Sequence, residues 1–97
     1  MMTFNPQQIT DLCKKNDIAF LGVFGSAARG DTHGSSDVDL LVRYDKSKGL
    51  FDHSRIALAF ESLFGRRVDL VTDRALSKYI RTNVYRDLKP LYGRQNS

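Results

Sequence analysis

Short apolar runs alternate with polar punctuation along the chain, and their spacing predicts helices and strands in turn. Asn5 stands where a helix N-cap belongs, Pro6 suits the first helical position, and Gln8 falls at the capping-box distance. Ile9, Leu12 and Cys13 then recur at i, i+3 and i+4, which is one helical face, and Asn16 offers a left-handed stop. Residues 18–24 (IAFLGVF) form an unbroken apolar run, the pattern of a strand buried on both faces. Gly25-Ser26 ends that run, and Ala27-Ala28-Arg29 opens a short helix that Gly30 breaks. Residues 31–36 (DTHGSS) are turn chemistry throughout. A second strand is expected over residues 37–43 (DVDLLVR), followed by a polar loop over 45–49. Ile56, Phe60, Leu63 and Phe64 recur at helical spacing within about 51–64, and Gly65 sits where a C-terminal glycine belongs. Residues 68–72 (VDLVT) predict a third strand. Residues 77–86 predict a helix with Tyr79, Ile80 and Val84 on its apolar side, and 88–92 a short edge strand. The sum is an α/β (α+β) fold.

At 97 residues the chain has room for one compact domain, expected to span 1–97 with a frayed tail from about 93. An apolar content of 41% with ten aromatics excludes wholesale disorder. No apolar run approaches the roughly 20 residues of a membrane span. The early charges Asp11, Lys14, Lys15 and Asp17 argue against a signal peptide. Cys13 is the lone cysteine, with no internal disulfide partner and no companions for a zinc site; it reads as a small core residue of a cytoplasmic protein. The net charge of +4 is unevenly spread. Residues 1–73 carry nine Lys/Arg against ten Asp/Glu, whereas residues 74–97 carry six against the single Asp87. That last quarter suits a polyphosphate, a nucleic acid or an acidic partner surface, or is simply a solvated face.

The candidate chemistry lies in residues 25–42. Asp37 and Asp39 are two apart on the expected strand, so both carboxylates point to one face. Two carboxylates held together repel, and a site tolerates that when divalent cations sit between them. Hard oxygen ligands without His or Cys nearby point to magnesium. Asp69 alternates with Val68 and Leu70, so a neighbouring strand can bring a third carboxylate beside the pair; three acidic groups at one sheet face suit a two-metal site for phosphoryl displacement. Gly25 lets the backbone approach a ligand closely, and Ser26 with the amides that follow offers an anion site. Arg29 can add charge near a leaving pyrophosphate. His33 and His53, with no partner at metal spacing, read as a loop and a helix-surface histidine.

Gly25-Ser26, ten residues, then Asp37-x-Asp39 matches G-S-x10-D-x-D, the motif of the polymerase-beta-type nucleotidyltransferases. The run VFGSAARGDTHGSSDVDLLV resembles the minimal nucleotidyltransferases, stand-alone prokaryotic proteins commonly encoded beside a HEPN-domain toxin. The likeness extends from about Ile9 to Tyr92. It implies a small mixed β-sheet with helices packed mainly on one face. Gly25 and Ser26 would bind the β- and γ-phosphates of ATP. Asp37 and Asp39 would hold two Mg2+ ions, and Asp69 would be the third metal-binding carboxylate and help deprotonate the attacking hydroxyl. Arg29 and Gly30 match the family's frequent A-R-G, whereas Ala27 stands where many relatives carry a larger residue.

The resemblance further implies transfer of AMP from ATP to a hydroxyl, a tyrosine of a cognate HEPN toxin. The chain would then be a type VII antitoxin, alone or in a homo- or hetero-oligomer. Tyr79, Arg81, Tyr85 and Arg86 are candidate partner contacts, or merely packed tyrosines and solvated arginines. Three alternatives stand beside this. One is an antitoxin that silences its partner by occlusion without catalysis, and another is transfer to a small molecule with an accessory subunit. The third, a nucleic-acid adaptor, lacks the interleaved basic and aromatic surface such binding uses.

Overall fold

The computed structural model describes residues 5–30 and 37–93; the turn expected at 31–36, with His33, and the tail expected at 94–97 lie outside the described residues. Among the described residues four α-helices, α1 (Pro6–Lys15), α2 (Gly25–Arg29), α3 (Leu50–Phe64) and α4 (Lys78–Asp87), alternate with four strands. These are β1 (Ile18–Phe24), β2 (Val38–Tyr44), β3 (Val68–Thr72) and β4 (Lys89–Gly93). The sheet runs β3-β2-β1-β4. β1 is antiparallel to both neighbours, whereas β2 and β3 are parallel, so the chain between them must cross back along the sheet, and α3 is that crossover. The sheet is therefore mixed, as expected.

Alternation along the strands divides the interior in two. Val38, Leu40 and Val42 of β2 join Leu21 and Val23 of β1 against Ile9 and Cys13 of α1 and Ile56 and Phe60 of α3, forming the larger core. The opposite face carries a smaller core of Phe20, Leu41, Leu76, Val84 and Leu88, covered by α4 and the turn after β3. Burial on both faces explains why β1 reads as a continuous apolar run. Cys13 is buried and unpaired, and burial pushes its thiol up to about 12, which makes it an inert core residue.

The sequence places the helix ends closely, with one instructive exception. Asn5 caps α1 by accepting from the Gln7 amide at 2.9 Å, and Gly65 closes α3 in the left-handed region at φ +67°. Asn5→Ala is expected to cost about 1 kcal/mol, read as a lower urea midpoint with an unchanged slope. After α1, however, the left-handed residue is Asp17 (φ +57°) rather than Asn16. Asn16 is instead buried, donating to the Leu12 carbonyl and accepting from Arg55, while the Asp17 carboxylate pairs with Lys48 at 2.9 Å. Long-range polar partners decide that turn, and local spacing does not show them.

Four further expectations change. β2 begins at Val38, so Asp37 precedes the strand, and β4 runs on to Gly93. On α4 only Val84 is buried; Tyr79 and Ile80 face outward, Tyr79 at 82% exposure. His53 is half-buried: Nε2 lies 2.7 Å from the Leu70 carbonyl, an acceptor only, so Nε2 carries the proton and Nδ1 accepts from the Tyr44 hydroxyl at 2.9 Å. It ties α3 to β2 and β3, a structural role that helical spacing alone would not reveal.

Candidate active site

The carboxylates gather where β1 ends and β2 and β3 begin. Because Val38 and Leu40 fill the larger core, Asp39 between them must face the other side of the sheet, and the same alternation turns Asp69 away from Val68 and Leu70. The parallel register sets Asp39 directly beside Asp69, on strands spaced about 4.8 Å apart. Across the antiparallel pair, Asp39 lies opposite Phe24, the residue before Gly25. Hydrogen bonding from the Val38 amide to the Arg67 carbonyl (2.8 Å) locks the two strand starts together. Asp37 is exposed at the mouth of β2.

Electrostatics bind the three together. The Asp39 carboxyl is pushed above its usual range first by desolvation, then by the charge of Asp69 and then by that of Asp37. A partly desolvated carboxylate between two others is a hard, anionic oxygen set that a divalent cation would relieve, so the residues fit magnesium in chemistry. Among the described residues no three His, Cys, Asp or Glu side chains already close into a metal-holding group. The carboxylates are neighbours, and an arriving cation would have to draw them in.

Gly25 forms the other wall. Its φ of +73° lies in the left-handed region, and a β-carbon there would run into Oδ2 of Asp39. Only glycine lets the chain turn out of β1 while resting on that carboxylate. The turn enters α2, whose backbone includes Ser26, so the segment expected to grip phosphates begins against the carboxylate expected to hold metal. Arg29, at the end of α2, pairs with Asp87 at the end of α4, with Nη1–Oδ2 at 2.7 Å. Sequence reasoning missed two of these features. The Gly25–Asp39 contact has a signal in hindsight, a glycine ending a buried strand, whereas the Arg29–Asp87 pair spans 58 positions and has none.

A small mixed sheet that sets paired acidic residues beside a Gly-Ser turn is the architecture of a nucleotidyltransferase domain. Residues 7–97 match the family Polymerase beta, Nucleotidyltransferase, and the chain belongs to it. Among its relatives is the protein adenylyltransferase MntA of Thermococcus cleftensis, 35% identical over 80% of this chain and 79% of that protein. A solved structure described as a minimal nucleotidyltransferase is 40% identical, with a TM-score of 0.77 over 88% of this chain and 87% of the other. A crystal structure of a toxin–antitoxin with AMP-PNP is 28% identical, with a TM-score of 0.78 over 94% of this chain and 75% of that one. No helix among the described residues is long and apolar enough to cross a membrane.

Proposed function

We propose that this chain is a magnesium-dependent protein adenylyltransferase of the cytoplasm that moves AMP from ATP onto a hydroxyl of a partner protein, a tyrosine of a HEPN-family toxin, and thereby acts as its antitoxin. The observation that carries the reading is the pairing of Asp39 with Asp69 directly beneath the Gly25 turn. The adenylyltransferase relative and the toxin–antitoxin structure with an ATP analogue support the substrate and the partner.

Gly25, Ser26 and the α2 backbone bind the β- and γ-phosphates, fixing the α-phosphorus over the carboxylates. Asp37, Asp39 and Asp69 are the ligands for two magnesium ions, which when bound neutralise phosphate charge and polarise the attacking oxygen. The acceptor hydroxyl forms a bond to the α-phosphorus and passes its proton to the Asp69 carboxylate. The bond from the α-phosphorus to the bridging oxygen breaks, and pyrophosphate leaves along Ser26. Positioning and charge neutralisation supply most of the rate. The outward residues Tyr79 and Ile80 on α4, flanked by Lys78 and Arg81, face the partner.

Titration with AMP-PNP tests the site directly. Binding is expected to require magnesium and to weaken about tenfold in Ser26→Ala, which loses one hydrogen bond to a charged group. Equal binding in EDTA, or an unchanged affinity in Ser26→Ala, would contradict the phosphate and metal assignments.

A further inference from the structure

Asp87 is the only acid in residues 74–97, and it occupies an unfavourable place for one. It is the last residue of α4, where the helix dipole presents its negative end and favours cations. Local preference therefore argues against an aspartate there. Its compensation is the 2.7 Å pair with Arg29 of α2, in which the Asp87 side chain keeps only 25% of its exposure.

The pair closes a circuit around the phosphate-side turn. β1 runs through Val23 and Phe24 into Gly25 and α2, which ends at Arg29. Arg29 reaches Asp87; Leu88 then enters the smaller core, and Lys89 pairs back with Val23. A helix of five residues has almost no stability of its own, so α2 takes its orientation from its anchors. Those anchors are Gly25 against Asp39 at one end, buried Ala28 in the middle and the Arg29–Asp87 pair at the other end. Arg86 and Lys89 line the same cleft of about 380 Å³ as Arg29 and Asp87. Asp87 is the one acid among the described residues that line it.

We propose that Asp87 is a positioning residue for the nucleotide: through Arg29 it holds α2 at the angle that presents the Gly25-Ser26 backbone to the phosphates. The proposal rests on the adenylyltransferase reading and adds a residue that lies outside the motif. In this role Asp87 acts through Arg29 rather than on ATP or metal, so its loss acts on nucleotide capture rather than on the chemical step.

The test compares wild type, Asp87→Asn, Asp87→Glu, Arg29→Ala and the Asp87→Asn/Arg29→Ala double variant for transfer and for AMP-PNP binding with magnesium. Asp87→Asn is expected to raise KM for ATP about tenfold, the worth of one charge-assisted hydrogen bond, with kcat within about twofold. Melting should fall by only a few degrees, because the pair is partly exposed and lies outside both cores. Asp87→Glu should recover most of the affinity, and the double variant should be no weaker than Arg29→Ala. A wild-type KM in Asp87→Asn, or effects that simply multiply in the double variant, would overturn the proposal. Should Asp87→Asn fail to fold, Asp87→Ser carries the same comparison. A wild type that binds AMP-PNP but transfers nothing refutes the transfer reading, and the binding arm then still decides the role of Asp87.

Discussion

Asp39→Asn is expected to lower transfer at least about a thousandfold, because it removes a metal-binding oxygen at the point where transition-state charge develops. Asp37→Asn should do the same, with the fold intact in both. The Asp39 variant should also melt at a higher temperature than wild type at pH 7 without divalent ions. Desolvation, Asp69 and Asp37 raise the Asp39 pKa in the folded protein. Its contribution therefore favours folding below the ordinary carboxylate value of about 4 and is lost as pH rises through the raised value. Asparagine never ionises, so its advantage should be present at neutral pH and shrink toward pH 4. Magnesium should raise the melting temperature of wild type and leave Asp39→Asn where it was. A variant that melts below wild type in EDTA would mean that Asp39 is not the strained member of the group.

Gly25→Ala is the second large effect, and it should damage fold and activity together. The positive φ alone costs roughly 1–2 kcal/mol for any residue with a β-carbon. That β-carbon would also displace the Asp39 carboxylate, so metal geometry and the phosphate turn shift at once. Transfer should fall at least about a hundredfold, the size of loss expected when a catalytic group moves by an ångström. Gly30→Ala separates the two causes. Gly30 also has a positive φ, +80°, but nothing within 4 Å of a β-carbon, so it should lose stability while keeping most activity. Equal activity loss in both would show that backbone strain, not contact with Asp39, explains the glycine.

The sequence is most legible where local chemistry decides. The α1 cap at Asn5, the α3 stop at Gly65 and the buried run of β1 each follow from a few neighbouring residues. The G-S-x10-D-x-D spacing likewise announces the site, because the apolar alternation of β2 leaves Asp39 only one face to occupy. What escaped the reading depends on partners far along the chain. Asp17 takes the left-handed turn at the end of α1, supported by Lys48, and His53 is drawn inward by Tyr44 and the Leu70 carbonyl. Tyr79 and Ile80 have the spacing of a buried helical face, yet α4 docks through Val84 and the partly buried Tyr85, because the sheet face beneath it offers only the small core around Phe20 and Leu41. The Arg29–Asp87 pair, 58 positions apart, has no local signal either, and Arg29 remains a candidate phosphate contact beside it.

The central claim is that the paired carboxylates transfer AMP to protein. Intact-mass spectrometry of the HEPN partner after incubation with this chain, ATP and magnesium tests it most directly, with an Asp37→Asn/Asp39→Asn variant alongside. A gain of about 329 Da per event, the covalent addition of one AMP, seen with wild type and absent with the variant, is the predicted result. An unchanged partner mass, with a stable complex that still silences the partner, would contradict it and mark the chain as an antitoxin acting by occlusion.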